Sequence, residues 1–103
     1  MPTDYRLKLH NELKALEDCD AYYQPPETLR INYPCFVYRR IPGEQFRADN
    51  RAYKYNRCWE IIFITEDSES TIREDMLYHF PMCRHIRDYP YDNLYHHVFN
   101  LFY

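Results

Sequence analysis

The chain has 103 residues, the size of one domain, and its apolar content of 46% argues against a disordered chain. Its formal net charge of −3 argues against a protein that grips nucleic acid through a basic excess. The single glycine, Gly43, argues against a glycine-rich phosphate-binding loop, and no apolar run reaches the roughly 18 residues that a membrane helix needs.

The first predicted element is an amphipathic helix from Tyr5 to Leu16. Leu9, Leu13 and Leu16 recur at the i, i+4, i+7 spacing that places apolar side chains on one face of a helix. The following segment Gln24-Pro25-Pro26 favours an extended path, because proline fixes its own backbone and restricts the residue before it.

A strand is predicted from Tyr33 to Ile41, where β-forming residues lead up to the turn signal Pro42-Gly43. Pro34 stands at the start of this strand, where its missing amide donor is tolerated. The polar stretch from Glu44 to Arg51 is predicted to form a long ordered loop.

The clearest strand pattern runs from Tyr53 to Thr65. Its alternation places large apolar side chains on one face, among them Trp59, Ile61 and Phe63. Ile62 and Ile64 make the far end apolar on the other face as well, so we expect that end to be covered on both sides.

A second helix is predicted from Ser70 to Phe80, after an acidic entry that suits a helix N-terminus. Its predicted apolar stripe consists of Ile72, Met76, Leu77 and Phe80, and Pro81 ends it. The segment Met82–Pro90 is predicted to be irregular or to form a short strand. Asp92-Asn93 is predicted to form a turn, and Leu94–Tyr103 a final strand.

These elements predict an α+β fold, in which a small antiparallel or mixed β-sheet has two helices packed on one face. A long predicted hairpin separates the two helices, which favours an antiparallel or mixed sheet. The sequence contains no repeat, low-complexity stretch or interdomain linker. Residues 1–103 are therefore expected to form a single domain.

No arrangement of residues points to a metal, a cofactor or an active site. Zinc sites usually take their ligands in close pairs, whereas the cysteines stand singly, at Cys19, Cys35, Cys58 and Cys83. His96 and His97 are adjacent on a predicted strand, so their side chains should point to opposite faces and cannot chelate one ion. We expect free, mostly buried thiols and a protein that is not an enzyme.

Arginine and tyrosine are the residues that most suggest a binding surface. The 12 tyrosines and the scattered arginines suit a protein interface, while basic and aromatic residues together also allow single-strand binding. Acidic residues are interleaved with the arginines, which favours the protein interface. The predicted interface residues are Arg39, Arg40, Arg47, Asp49, Asn50, Arg51, Arg84, Arg87, Asp92 and Asn93.

The loop from Glu44 to Ala52 has two interpretations. It is longer than a tight hairpin and carries side chains that can form charge-assisted hydrogen bonds, so we expect it at a subunit or partner contact. The alternative is that Asp49-Asn50 forms only an Asx-turn.

Five segments give the chain a resemblance to a known family. They are Tyr23-Gln24-Pro25-Pro26, Tyr33-Pro34-Cys35-Phe36-Val37-Tyr38, Ala48-Asp49-Asn50-Arg51-Ala52-Tyr53, Cys83-Arg84-His85 and Asp92-Asn93-Leu94-Tyr95-His96-His97. In this order and spacing the chain, from about Leu13 to Tyr103, resembles the small tail-completion proteins of long-tailed bacteriophages.

The resemblance implies a structural virion protein without a cofactor. Such a tail terminator forms a ring, typically a hexamer, that caps the tail tube, stops its growth and contacts the head–tail connector. The protein would be made in the host cytoplasm and reside in the tail or neck of the virion, away from any membrane. DNA would pass through the lumen without specific binding, which an acidic balance assists.

Three alternatives stay open at the level of sequence. One is the neighbouring head-completion or stopper ring. The others are a small nucleic-acid-binding regulator and a small hydrolase or metal enzyme.

Overall fold

A five-stranded sheet and two helices make up the described part of the chain. The computed structural model describes residues 5–25, 30–41 and 58–103. In chain order the elements are α1 (Tyr5–Glu17), β1 (Asp20–Tyr23), β2 (Cys35–Ile41), β3 (Cys58–Thr65), α2 (Ile72–His79), β4 (Cys83–Tyr91) and β5 (Leu94–Phe102).

The sheet is mixed, with the strand order β1-β2-β3-β5-β4. The β1–β2 pair is parallel, and the pairs β2–β3, β3–β5 and β4–β5 are antiparallel. Both helices contribute to a single buried cluster that includes side chains from one face of the sheet. The predicted α+β fold, with a mixed sheet and two helices on one face, is confirmed.

The core lies between the helices and the middle of the sheet. Trp59, Ile61 and Phe63 alternate along β3 and are all buried, as the strand periodicity predicted. Phe99 and Leu101 of β5 lie opposite Ile61 and Trp59 and extend the same buried face. The helices complete the cluster with Leu9, Leu13, Ile72 and Met76.

The helices begin and end where local chemistry favours a boundary. In α1 the chain leaves the helix at Asp18, whose φ of 52° is the left-handed conformation common after helices. Before α2, the Ser70 hydroxyl accepts a hydrogen bond from the Ile72 backbone N–H at 3.2 Å, which satisfies one free donor of the first turn. The helix ends at His79, two residues before Pro81.

Three features of the elements differ from the predictions. The segment that forms β1 was not predicted as a strand. It pairs in parallel with β2, so no short hairpin turn links the two strands and marks them in the sequence. The segment expected to be irregular or a short strand forms the nine-residue strand β4. Leu77 was placed in the buried stripe of α2 but is 40% exposed, since Ile72, Met76 and Phe80 occupy the inner face.

The double cover expected at the end of β3 holds only in part. Ile62 and Ile64 point away from both helices; Ile64 is 8% exposed, whereas Ile62 is half-buried. The predicted loop at residues 44–52 and the predicted strand start at residues 53–57 lie outside the described residues.

Candidate functional site

The face of the sheet opposite the two helices is the candidate site, here called the open face. Strand alternation and register assign its residues. They are Asp20 and Tyr22 of β1; Cys35, Val37, Arg39 and Ile41 of β2; Cys58, Glu60, Ile62 and Ile64 of β3; Leu94, His96, Val98, Asn100 and Phe102 of β5; and Arg84, Arg87, Tyr89 and Tyr91 of β4.

An apolar row that ends in an arginine crosses the middle of the open face. In register across four strands, the row consists of Val37, Ile62, Val98 and Arg87. Val98 is buried, Val37 and Ile62 are half-buried, and Arg87 is exposed. The apolar surface that this row exposes therefore comes from Val37 and Ile62, and the positive charge of Arg87 lies two strands beyond Ile62.

The neighbouring row is polar. It runs through Arg39, Glu60, Asn100 and Arg84. Arg39 Nε donates a hydrogen bond to Glu60 Oε1 at 2.8 Å, and this bond raises the pKa of the guanidinium above its usual value. Arg39 is exposed and Glu60 is half-buried, so water screens the pair and it adds little stability.

A shallow depression lies where the two rows meet β1. Its volume is about 350 Å³. It is lined by Gln24, Pro25, Val37, Tyr38, Arg39, Glu60 and Ile62. The backbone N–H of Gln24 donates to the carbonyl of Tyr38 at 3.1 Å and holds the chain after β1 against β2. The depression therefore has an apolar floor and a charged rim.

Stacked rings continue the open face toward the β4–β5 turn. The Arg87 guanidinium lies 5.7 Å from the centre of the Tyr89 ring, and that ring stacks on His96 at 4.8 Å with an interplanar angle of 13°. Burial lowers the pKa of His96 below its usual value; a backbone hydrogen bond at Leu94 opposes this effect and the charge of His97 adds to it, and the net lowering favours the neutral ring near pH 7. The strip thus carries one positive charge, on Arg87, and two flat rings.

The structure places only some of the predicted interface residues together. Arg39, Arg84 and Arg87 lie on the open face. Arg40 points to the other face, where its guanidinium lies 5.9 Å from the Trp59 ring. Asp92 and Asn93 lie in the turn between β4 and β5. The other four predicted residues lie outside the described part of the chain; they are Arg47, Asp49, Asn50 and Arg51.

Asp92 and Asn93 have a structural role that accounts for their presence. Both adopt positive φ, 54° and 62°, in the two-residue connection between β4 and β5. This is the backbone of a type I′ hairpin turn, which asparagine and aspartate tolerate better than most residues. The predicted turn at these positions is confirmed.

A histidine–aspartate cluster on the helix-bearing face was missed at the level of sequence. Asp88 Oδ1 accepts hydrogen bonds from His85 Nε2 and His97 Nδ1, both at 2.7 Å. Burial raises the pKa of Asp88, but the hydrogen bonds and positive charge of the two histidines outweigh it and leave the pKa below its usual value.

The cluster depends on a β-bulge between His85 and Arg87. Residues three apart on a regular strand face opposite sides, so the extra residue of the bulge brings Asp88 to the same side as His85. His96 and His97 point to opposite faces, as predicted, since they pair with Ile64 and Phe63. Within residues 5–25, 30–41 and 58–103, no group of three potential ligands could hold a metal ion.

A second cavity, of about 270 Å³, lies between α1 and the end of β5. At its wall, Glu12 accepts a hydrogen bond from the Tyr103 hydroxyl and another from His79 Nε2, the latter at 3.2 Å. These bonds join α1, the end of α2 and the chain after β5. Neither serine nor cysteine is among the described residues that line this cavity.

The four cysteines are free thiols of low reactivity. Cys35 and Cys58 are buried, and Cys19 and Cys83 are half-buried. Burial raises the pKa of Cys35 and Cys83 to about 12 and that of Cys19 and Cys58 to about 11. Because the thiolate is the nucleophile, protonated thiols of this kind suit packing better than catalysis.

Neither described helix is long and apolar enough to cross a membrane. Comparison with protein-family models, with curated proteins and with solved structures found no match to this chain.

Proposed function

We propose that this protein is a structural component of a long-tailed bacteriophage: a tail terminator or completion protein that forms a closed ring of six copies on the end of the tail tube. The ring stops growth of the tube and joins it to the head–tail connector. It assembles in the host cytoplasm and remains in the tail or neck of the virion. The open face, with Arg39, Arg84 and Arg87, is the observation that carries this proposal.

The composition of the open face supports a protein partner. Val37 and Ile62 leave apolar surface partly exposed, and Arg87 and Tyr89 lie on the same face, two strands beyond Ile62. Arginine and tyrosine are the residues that protein interfaces favour, and a partly apolar centre with a polar surround is the usual anatomy.

The sheet edges support an assembly of limited size. β1, at one edge, has only four residues, and β4, at the other, contains a bulge, exposed charges and Pro90. Short edge strands, bulges, charges and prolines all discourage uncontrolled strand pairing. Copies are therefore expected to associate through side chains and to form a closed assembly instead of a fibre.

Binding of nucleic acid is the second candidate, and the strip of Arg87, Tyr89 and His96 is the observation that favours it. Single-strand binding proteins combine positive charge with stacking rings. Here the Tyr89 and His96 rings stack on each other, and the net charge of the chain is −3. The protein interface is therefore the better supported function.

The test has two parts. Native mass spectrometry of the purified protein at several concentrations should show a closed oligomer, with six copies as the expected number. In phage that lack the gene, electron microscopy should show tails of uneven length or tails not joined to heads, and a plasmid copy should restore normal particles. A protein that is monomeric at every concentration and absent from purified virions would contradict the proposal.

A further inference from the structure

The outer face of α2 presents apolar surface that the fold does not use. Tyr78 is 93% exposed, and the adjacent Leu77 is 40% exposed. Glu74 lies four residues before Tyr78 and is exposed too, so the two side chains are neighbours on one ridge of the helix. An acidic group and a tyrosine therefore stand side by side on the surface that points away from the core.

The open face has the complementary features in a similar arrangement. Its depression has Val37 and Ile62 in its floor, and Arg87 lies in the same row two strands beyond Ile62. With a strand spacing of about 4.8 Å, the Ile62 and Arg87 backbones are about 10 Å apart. The Cβ atoms of Glu74 and Tyr78 are about 6 Å apart, as for any i, i+4 pair, and the long Arg87 side chain spans the difference.

We propose that, in the assembled ring, the outer face of α2 in one copy docks on the open face of the next copy. Tyr78 enters the depression above Val37 and Ile62, and Glu74 pairs with Arg87. This inference rests on the proposed ring and names the two surfaces that build it. Within residues 5–25, 30–41 and 58–103, no carboxylate of the same copy forms an ion pair with Arg87.

The positions of the two surfaces determine the type of assembly. The outer face of α2 and the open face lie on opposite sides of the sheet. In the proposed contact, one copy therefore contributes its α2 and the other copy contributes its open face. Such a contact is heterologous, and it generates a ring when the rotation between copies closes. Each copy then offers one α2 surface and one open face.

The first experiment removes each surface separately. Tyr78→Ser and Arg87→Glu should each weaken self-association at least tenfold in sedimentation velocity, while circular dichroism and thermal unfolding stay close to wild type because both side chains are exposed. Lys14→Glu and Glu69→Arg reverse exposed charges outside the two surfaces and should leave the ring intact. If the Tyr78→Ser protein and the Arg87→Glu protein each still form rings, the inference is overturned.

The second experiment tests the head-to-tail arrangement. A mixture of Tyr78→Ser and Arg87→Glu proteins retains one intact pair of surfaces, so it should form a 1:1 heterodimer that neither variant forms alone. A mixture that stays monomeric would overturn the arrangement. The double variant Glu74→Arg with Arg87→Glu should regain part of the self-association lost by Arg87→Glu, and no recovery would argue against this ion pair.

These outcomes separate the inference from the function on which it rests. If wild-type protein forms rings and completes tails while the variants do so equally well, the docking surfaces are wrong and the function stands. If wild-type protein forms no ring and enters no particle, both fail.

Discussion

Glu17, in the last turn of α1, is the residue whose ionisation the fold changes most clearly among the described carboxyls. Burial raises its pKa to about 7, and a hydrogen bond and charge repulsion from Asp75 of α2 add to the effect. The sequence could not show this pair, because residues 17 and 75 meet only after both helices pack on the sheet. The free thiols, in contrast, were expected from the sequence, because the cysteines stand singly and no secretory signal was recognised.

The raised pKa of Glu17 predicts that stability falls as pH rises. A carboxyl whose folded pKa exceeds its unfolded value of 4.5 binds its proton more tightly in the folded state. Its contribution is fully present below pH 4.5 and is lost as pH passes through about 7.

Glu17→Gln should therefore flatten the dependence of unfolding free energy on pH across this window. At pH 8 the variant should be more stable than wild type by about 1 kcal/mol or less, since a partly exposed pair is screened by water. Urea titrations at several pH values measure both effects, with Glu66→Gln, an exposed acid at the same end of the sheet, as the control. A variant whose pH dependence matches that of wild type would show that the Glu17–Asp75 pair is not coupled to folding.

At the scale of the element, periodicity identified the long central elements and failed at the sheet edges. Helix α1 and the centre of β3 were predictable because a regular apolar repeat continues over several turns or pleats. β1 is too short for a repeat, and β4 mixes charged, aromatic and apolar residues without regular alternation and contains a bulge and Pro90. The register of the edge strands comes from their partners and so lies beyond local sequence.

The buried row of β3 predicts a large effect of truncating Trp59. This side chain is 2% exposed and packs against Tyr23 and Tyr38 at ring distances of 6.3 and 6.0 Å. Trp59→Ala should lower the free energy of unfolding by about 3–5 kcal/mol in urea titration. Tyr91→Ala, at an exposed ring of the hairpin, should change it by about 0.5 kcal/mol or less. A loss below about 1 kcal/mol for Trp59→Ala would mean that β3 does not form the core face.

Trp59→Phe extends this test. The buried indole Nε1 has no hydrogen-bond partner within the described part of the chain. Phenylalanine removes that unsatisfied donor while keeping an aromatic ring, so Trp59→Phe should cost clearly less than Trp59→Ala.

The β4–β5 turn predicts opposite effects for two substitutions of Asn93. Its φ of 62° is favourable for glycine and unfavourable for a β-branched residue. Asn93→Gly should leave stability unchanged or raise it by up to about 1 kcal/mol, and Asn93→Val should lower it by about 1–2 kcal/mol. Thermal unfolding measures both.

The Asn93→Gly substitution also tests whether Asn93 belongs to an interface. If its role is only the turn, Asn93→Gly will support ring formation as well as wild type does. A folded Asn93→Gly protein that no longer assembles would instead restore Asn93 as a contact residue.

At the scale of the whole molecule, the fold class followed from the order of elements, but the candidate site did not. Which face of the sheet stays open depends on where both helices pack, and the spacing of arginines in sequence carries no such information. Arg39 and Arg84 belong to different strands, and only the register of the sheet places them in the same row. Arg40, next to Arg39 in sequence, points to the opposite face.

The charge of the whole molecule predicts weak binding to nucleic acid. The net charge is −3, and Arg39 of the open face is already paired with Glu60. Phosphate binding requires unneutralised cations and weakens steeply with salt, so we expect a dissociation constant above about 1 µM near physiological salt for duplex and single-stranded DNA. Fluorescence anisotropy with labelled oligonucleotides measures this directly.

The double variant Arg84→Glu with Arg87→Glu tests whether residual binding comes from the open face. It should abolish any weak binding seen at low salt, whereas Arg40→Glu should change it less. Sub-micromolar binding by wild-type protein, lost in the double variant and falling steeply as salt rises, would identify the open face as a nucleic-acid surface. It would then favour a nucleic-acid-binding regulator over the ring, because one face cannot hold DNA tightly and also be covered by the next copy.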